Sequence, residues 1–135
     1  MRVDQNKSQV VACLGSSTTA GRGEAYDWIS ELQKRPQNKK IKFYNFGVGG
    51  NLAYGVLKRV PSVIACRPDR IVVQAGGNDV LVLVFNNAKR FLVDWKRLPG
   101  NPSAEWFRDN LQAIIRRRRE ALANAIAACA IACSL

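Results

Sequence analysis

The sequence predicts an α/β fold, a three-layer sandwich in which helices cover both faces of a parallel sheet. Three short apolar runs each end in a cluster of small and polar residues, and segments with helical spacing lie between them. Strands that alternate with helices pair in parallel through right-handed crossovers. In such sheets ligands bind at the carboxyl ends of the strands. We therefore expect all three clusters at one edge of one sheet.

The strands are predicted at residues 9–14, 41–46 and 70–75, which are short, apolar and closed by glycine or polar residues. The third run contains three consecutive β-branched residues, as is typical of a strand that is covered on both faces. The Ala-rich tail at residues 125–134 has two interpretations, a fourth strand or an extension of the preceding helix.

Helices are predicted between these strands. Residues 23–34 and 52–66 place apolar side chains at helical spacing, and Pro61 is expected to kink or split the second of these helices. Ser103 is the expected N-cap of a long helix that continues into the arginines at 116–119. Together these elements favour one α/β domain over residues 1–135.

Composition narrows the class of protein. The N-terminus lacks the apolar segment of a signal peptide, which predicts a cytoplasmic protein. The four cysteines form no CxxC pair and the chain contains no histidine. We therefore predict free, buried thiols in a reducing compartment, with no metal and no cofactor.

The formal net charge of +11 has two interpretations. The arginine run at 116–119 is either a solvated helix face or a binding surface for nucleic acid or an anionic membrane. No aromatic residues interleave with the run, as base-stacking platforms would require. The solvated face is therefore the simpler interpretation.

The three clusters contain the residue types that acyl transfer needs. They read Gly15-Ser16-Ser17-Thr18-Thr19-Ala20-Gly21, Asn45-Phe46-Gly47-Val48-Gly49-Gly50 and Gly76-Gly77-Asn78-Asp79. Ser17 supplies a hydroxyl on a strand-to-helix turn, Gly50 lets a backbone N–H approach a ligand, and Asn78 supplies a neutral amide donor for an oxyanion. Taken singly, each cluster is also explained as an ordinary turn or helix cap, and the spacing of a dinucleotide-binding loop is absent.

In order, the clusters resemble the three motifs of the SGNH/GDSL hydrolase family, Gly-Asp-Ser-x-Thr, Asn-x-Gly-x-x-Gly and Gly-x-Asn-Asp. The resemblance covers nearly the whole chain from Gln9. It implies that Ser17 is the nucleophile, and that its own N–H, the Gly50 N–H and the Asn78 side chain form the oxyanion hole. It also implies hydrolysis of a small carboxylic ester or thioester through an acyl-enzyme.

Two departures from the family pattern modify these expectations. Ser16 stands where the family has Asp, which alters a turn contact. The family's last motif, Asp-x-x-His, has no counterpart, and residues 126–135 resemble the family's fourth strand. We therefore expect a domain truncated at its C-terminus, without its last strand and catalytic loop, and with an exposed sheet edge that favours self-association.

Without the triad histidine, we expect at most trace esterase activity from this chain. A loop at residues 80–102 is expected to line the acyl or alcohol pocket with Phe85, Phe91 and Trp95, unless these aromatic residues pack in the core. The alternative function is a non-catalytic basic protein that binds nucleic acid or lipid headgroups.

Overall fold

The computed structural model describes residues 7–22 and 26–121, together with the backbone of residues 126–130. Its strands are β1 (Gln9–Gly15), β2 (Ile41–Gly47), β3 (Arg70–Gln74) and β4 (Ile126–Ala130). Its helices are α1 (Ser17–Ala20), α2 (Trp28–Lys34), α3 (Ala53–Lys58), α4 (Val60–Ala65), α5 (Gly77–Val84), α6 (Asn86–Lys96) and α7 (Ala104–Ala121).

The four strands form one parallel sheet in the order β2-β1-β3-β4. Gly15 at the end of β1 aligns with Gly47 on one side and with Gln74 on the other. The strands β1, β2 and β3 therefore end at the same level, and the segments that follow them emerge together. The predicted α/β class with a parallel sheet is confirmed.

Helices lie on both faces of this sheet because successive residues of a strand point to opposite sides. Leu14 of β1 packs in one cluster with Val56 of α3 and Ile114 of α7. Cys13, its neighbour in β1, packs with Ile29 of α2 on the opposite face. The three-layer arrangement follows from this alternation.

The two cysteines whose side chains are described, Cys13 and Cys66, are free thiols. Cys13 is fully buried, and burial raises the pKa of its thiol to about 11. It stays protonated at neutral pH and packs as a small hydrophobic residue. The side chains of Cys129 and Cys133 lie outside the described residues.

The helix predicted at residues 23–34 is shorter than expected. It begins directly after Asp27, whose carboxylate accepts a hydrogen bond from the Ser30 N–H at 3.0 Å and so caps α2. Tyr26, which the spacing placed on the apolar face of this helix, is 71% exposed. Residues 23–25 lie outside the described part of the chain.

Other predictions about the helices and the tail agree with the structure. Pro61 splits the helix predicted at 52–66 into α3 and α4, and it lies in the first turn of α4, where its missing N–H is tolerated. The Ser103 hydroxyl accepts a hydrogen bond from the Trp106 N–H at 3.0 Å, at the start of α7. The backbone of residues 126–130 forms β4, so the strand interpretation of the tail is the correct one.

The prediction of a loop over residues 80–102 is wrong, because helices α5 and α6 occupy most of this segment. Val82 of α5 and Leu92 of α6 are buried with Leu52, the residue that precedes α3, and this shared apolar contact packs the two helices together. Phe85, between the two helices, and residues 97–102 are the irregular positions in this stretch, so a loop is present only at its end.

The three aromatic residues of this segment face solvent. The exposed fraction is 56% for Phe85, 64% for Phe91 and 57% for Trp95. Core packing therefore does not explain them.

The arginine run is not a uniform surface. Arg116, Arg117 and Arg119 are exposed, as expected of a solvated helix face. Arg118 is only 7% exposed and borders a small apolar cavity. Within the described part of the chain, its Nε and Nη2 atoms have no hydrogen-bond partner. None of the described helices is long and apolar enough to cross a membrane.

Candidate active site

Ser17 is the first residue of α1 and lies just beyond the end of β1. Its side chain is exposed, whereas the nearby Ser16 and Thr19 are buried. As the first residue of a helix, Ser17 has a backbone N–H without an intrahelical acceptor. A hydroxyl and an N–H are therefore both available at one position on this edge of the sheet.

Close backbone contacts join the first cluster to the second. A methyl group placed on Gly47 would lie 2.6 Å from the Cα of Ala20, so this approach requires glycine. Asn45 bridges the same contact, since its Nδ2 donates to the Ala20 carbonyl at 3.2 Å and its Oδ1 accepts from the Gly47 N–H at 2.8 Å. The Val48 N–H donates to the Gly15 carbonyl at 3.1 Å.

A partly buried hydrogen bond joins the first cluster to the end of β3. The Thr19 Oγ1 donates to the Oε1 of Gln74 at 2.9 Å, and Thr19 is only 1% exposed. A methyl group on Gly15 would collide with this threonine hydroxyl. The third cluster begins two residues after Gln74, so this bond fixes its position relative to Ser17.

Arg59 lies between α3 and α4 and binds the carbonyl groups of two strand ends. Its Nη2 donates to the Gly15 oxygen at 2.6 Å, its Nε to the Phe46 oxygen at 3.1 Å and its Nη1 to the Gly55 oxygen at 3.1 Å. Burial lowers the pKa of this guanidinium from its ordinary value because the charge loses water. The three carbonyl oxygens replace part of that hydration.

Gly50 lies in a conformation that favours glycine. Its φ is +72°, in the left-handed region of the backbone map. A methyl group on Gly50 would lie 2.6 Å from the Cζ3 of Trp95. The Trp95 indole therefore packs directly against the loop that carries the predicted Gly50 donor.

Lys96 binds the same loop. Its Nζ donates to the Gly49 carbonyl oxygen at 2.7 Å and lies 4.0 Å from the centre of the Trp95 ring. The Gly49 carbonyl and the Gly50 N–H belong to one planar peptide group. Lys96 thus fixes the orientation of that N–H and polarises it. Burial, assisted by the charge of Arg59, lowers the pKa of the Lys96 ammonium.

Asn78 lies in the first turn of α5 and contacts the second cluster. Its Nδ2 donates to the Asn51 carbonyl at 3.0 Å. A side-chain amide has two N–H groups, so one of them remains for another acceptor such as an oxyanion. The contact with Asn51 orients the amide.

Asp79 ties the third cluster to the start of α3. It is 3% exposed, and its two carboxylate oxygens accept from the Ala53 N–H at 3.0 and 3.2 Å. Burial raises the pKa of this carboxyl to about 6, although the hydrogen bond to Ala53 acts in the opposite direction.

The structure thus places Ser17, Gly50 and Asn78 in three segments at the carboxyl edge of one sheet, as the sequence predicted. Hydrogen bonds link these segments pairwise. The catalytic roles of the three residues stay predictions.

Sequence reasoning missed three residues that support the site. Asp79 stands inside a recognised cluster, but the cluster itself says nothing about its burial. Arg59 and Lys96 are two among 21 basic residues, and no local pattern distinguishes them. Their contacts with carbonyl groups 44 and 47 residues away depend on the fold.

A cavity of about 200 Å³ opens beside the Gly50 loop and extends along α3. It combines apolar walls with two basic side chains, and it is lined by Asn51, Leu52, Tyr54, Gly55, Lys58, Lys96 and Leu98. No group of three or more metal-ligating side chains occurs among residues 7–22 and 26–121.

These features describe an α/β protein with an exposed serine at the carboxyl edge of a parallel sheet. The sequence model of the GDSL-like Lipase/Acylhydrolase family matches residues 13–133, and the chain belongs to this family. The resemblance inferred from the three clusters is confirmed. No curated protein sequence matches the chain significantly.

Solved structures share the fold. A catalytic mutant of the acetylxylan esterase Axe2 from Geobacillus stearothermophilus matches 94% of the chain with a TM-score of 0.68 and 17% identity. AlinE4, an SGNH-hydrolase family esterase, matches 87% of it with a TM-score of 0.59 and 26% identity. BT4096, a gut microbial diltiazem-metabolizing enzyme, matches 91% with a TM-score of 0.62 and 23% identity. The chain covers 61%, 56% and 26% of these three proteins, respectively.

Proposed function

We propose that this chain carries the nucleophile and the oxyanion hole of a serine ester hydrolase. One observation carries the proposal: an exposed serine, a glycine-rich loop and an asparagine amide are held by hydrogen bonds at the carboxyl edge of the sheet in a GDSL-family chain. In this proposal Ser17 is the nucleophile. Its N–H, the Gly50 N–H and the Asn78 Nδ2 bind the oxyanion.

The reaction follows from these roles. The Ser17 Oγ attacks the carbonyl carbon of an ester or thioester, its proton passes to a base, and the oxyanion is bound by the three donors. The tetrahedral intermediate expels the alcohol or thiol, which takes up a proton, and leaves an acyl group on Ser17. Water then hydrolyses this acyl-enzyme and restores the hydroxyl.

The base is the missing part of this mechanism. The 135 residues contain no histidine, and the chain spans 56–61% of two esterases of the same fold. Serine hydrolases that lose a triad member keep roughly 10³–10⁴-fold catalysis over water from binding and the oxyanion hole. We therefore propose that the chain by itself hydrolyses esters only at a trace rate.

Family membership favours a hydrolase over the non-catalytic binding protein considered as the alternative. The burial of Arg118 also removes one member of the arginine run on which that alternative depended. A small ester or thioester as substrate and a cytoplasmic location stay predictions.

Covalent labelling of Ser17 tests the proposal without requiring turnover. A fluorophosphonate should label the wild-type protein slowly, and peptide mass spectrometry should locate the label on Ser17. Ser17→Ala should abolish labelling. Thr18→Ala is the matched control, because Thr18 carries an adjacent hydroxyl and is also exposed. Labelling that persists in Ser17→Ala would contradict the assignment of the nucleophile.

A rescue experiment tests the absence of the base. Imidazole added to the p-nitrophenyl acetate assay should raise the rate of the wild type above that of Ser17→Ala, which reports the reaction of imidazole itself. Rapid Ser17-dependent hydrolysis in the absence of imidazole would mean that another residue of this chain acts as the base.

A further inference from the structure

Helices α5 and α6 expose large apolar side chains close together in the chain. Seven of the nine exposed large hydrophobic residues in the described part of the chain lie between positions 80 and 95. The most exposed are Val84 at 63%, Phe85 at 56%, Phe91 at 64% and Trp95 at 57%. Scattered exposed hydrophobic residues are normal, but a group of this size marks an interaction surface. We refer to it as the α5–α6 apolar face.

Aromatic residues form the centre of this face. Phe91 and Trp95 are one helical turn apart, and their ring centres lie 5.4 Å from each other. They border an open cleft of about 460 Å³ together with Asn87, Arg90 and Asp94. Tryptophan combines an apolar body with an N–H donor, which suits the boundary between hydrocarbon and water.

Basic residues flank the aromatic pair. Between residues 86 and 97 the chain has four basic side chains, Lys89, Arg90, Lys96 and Arg97, and one acidic side chain, Asp94. The whole chain carries a formal charge of +11. Long basic side chains extend their apolar stems along a hydrophobic surface while the charged ends reach anionic headgroups.

We propose that the α5–α6 apolar face docks on the surface of an anionic lipid bilayer. An amphipathic helix with aromatic residues on one side and basic residues beside them lies in the plane of the membrane interface. The same face is less suited to a second copy of this chain, because the contact would bring two basic surfaces together in a dimer of charge +22, twice the +11 of one chain.

The position of the face connects docking with the candidate site. Trp95 belongs to the apolar face and also packs against Gly50. A lipid ester in the docked bilayer would thus meet the edge of the sheet that carries Ser17. Docking itself does not depend on the role of Ser17, so binding measurements test it independently of hydrolysis.

Vesicle flotation measures the docking directly. The wild type should float with vesicles of equal parts phosphatidylglycerol and phosphatidylcholine, but not with pure phosphatidylcholine. Phe85→Ser/Phe91→Ser should weaken binding at least tenfold, since two exposed aromatic side chains lose their apolar contact. Lys89→Gln/Arg90→Gln should weaken it about 25-fold, at about fivefold for each charge.

Matched controls separate this face from the rest of the surface. Tyr26→Ser removes an aromatic side chain that is 71% exposed outside the face, and Arg116→Gln/Arg117→Gln removes two exposed charges of α7. Both controls should bind within about threefold of the wild type. Thermal unfolding followed by circular dichroism should show all variants folded, because every substituted side chain is at least partly exposed.

A spectroscopic measurement identifies the docked residue. Lipids with brominated acyl chains should quench the tryptophan fluorescence of the wild type, and Trp95→Phe should remove most of this quenching because Trp28 and Trp106 are half-buried.

Three results would overturn the proposal. The first is the absence of wild-type binding to anionic vesicles, and the second is equal binding by Phe85→Ser/Phe91→Ser. The third is a dimer in sedimentation velocity that dissociates in Phe85→Ser/Phe91→Ser, which would assign the face to a second copy of the chain.

Discussion

The Lys96 ammonium lies 2.7 Å from the carbonyl oxygen of Gly49, in the peptide group that ends in the Gly50 N–H. The contact joins residues 47 positions apart and brings α6 onto the glycine-rich loop after β2. The loop therefore does not hold its predicted donor by its own turn geometry alone. A positive charge from another element fixes and polarises the same peptide group.

Lys96→Met should slow fluorophosphonate labelling of Ser17 about tenfold, less than the roughly 10²–10³-fold effect of deleting an oxyanion donor itself. The maximal labelling rate should fall, while the fluorophosphonate concentration that gives half of this rate should stay constant. The reason is that the peptide group acts on the developing oxyanion and not on the bound reagent. The Lys96→Arg variant keeps the positive charge and should therefore retain most of the wild-type labelling rate. Lys58→Met is the control, since Lys58 lines the same cavity without binding the loop. Equal effects of Lys58→Met and Lys96→Met would contradict this role.

Gly50→Ala should lower the free energy of unfolding by about 2–3 kcal/mol. Alanine is strained at the positive φ of this position, and its methyl group meets the Trp95 ring. Gly49→Ala, where a methyl group meets no atom within 4 Å, should change it by less than about 1 kcal/mol. Urea denaturation measures both. In Gly50→Ala/Trp95→Ala the methyl group no longer meets the Trp95 ring. The double variant should therefore recover the stability lost to that collision, but not the stability lost to the positive φ. Equal stability of the two single variants would show that the loop tolerates an L-residue at either position.

Asp79 should make stability depend on pH. Its folded-state pKa of about 6 lies above the ordinary value of 3.8, so the folded protein binds this proton more tightly than the unfolded chain. The free energy of unfolding should therefore fall as the pH rises from about 4 to about 7, by up to about 3 kcal/mol given the difference between these two pKa values.

Asp79→Asn should remove this component, because the amide oxygen still accepts from the Ala53 N–H but does not ionise. The variant should gain stability relative to the wild type as the pH rises, in urea titrations at pH 4, 5, 6 and 7. Asp94→Asn, at an exposed position, is the control, and its free energy of unfolding should change with pH in the same way as that of the wild type. An Asp79→Asn curve parallel to that of the wild type would contradict the burial-driven shift.

Arg118→Met should raise the free energy of unfolding by about 1–2 kcal/mol. The guanidinium Nε and Nη2 are buried without a partner among the described residues, beside a cavity with apolar walls. A thioether side chain keeps the packing of the stem and removes the cost of the desolvated charge. Arg117→Met, at an exposed position on the same helix, should change stability by less than about 0.5 kcal/mol. Destabilisation by Arg118→Met would indicate that the guanidinium has a partner outside the described residues.

The sequence by itself determined the strands, their parallel pairing and the clusters at their ends. Strand periodicity and glycine-rich turns are local properties, so the sequence alone assigns Ser17, Gly50 and Asn78 to the same sheet edge. Helix starts also followed local signals, as at Ser103, where a capping hydroxyl is encoded three residues before the N–H that it binds. The helix expected from residue 23 was placed wrongly because Asp27 is a stronger start signal than the apolar spacing.

The tertiary structure alone decided which polar and basic residues serve the site. The side chains of Asp79, Arg59 and Lys96 bind backbone groups 26 to 47 residues away. Burial, which no local pattern reports, shifts the pKa values of Asp79 and Lys96. The prediction of a loop at 80–102 is wrong for a related reason. Helices α5 and α6 bury Val82 and Leu92 with Leu52 and leave Phe91 and Trp95 on the outside, and no local pattern reports which apolar residues of the segment are buried. Exposure is a property of the assembled chain, and at this position it created the apolar face beside the candidate site.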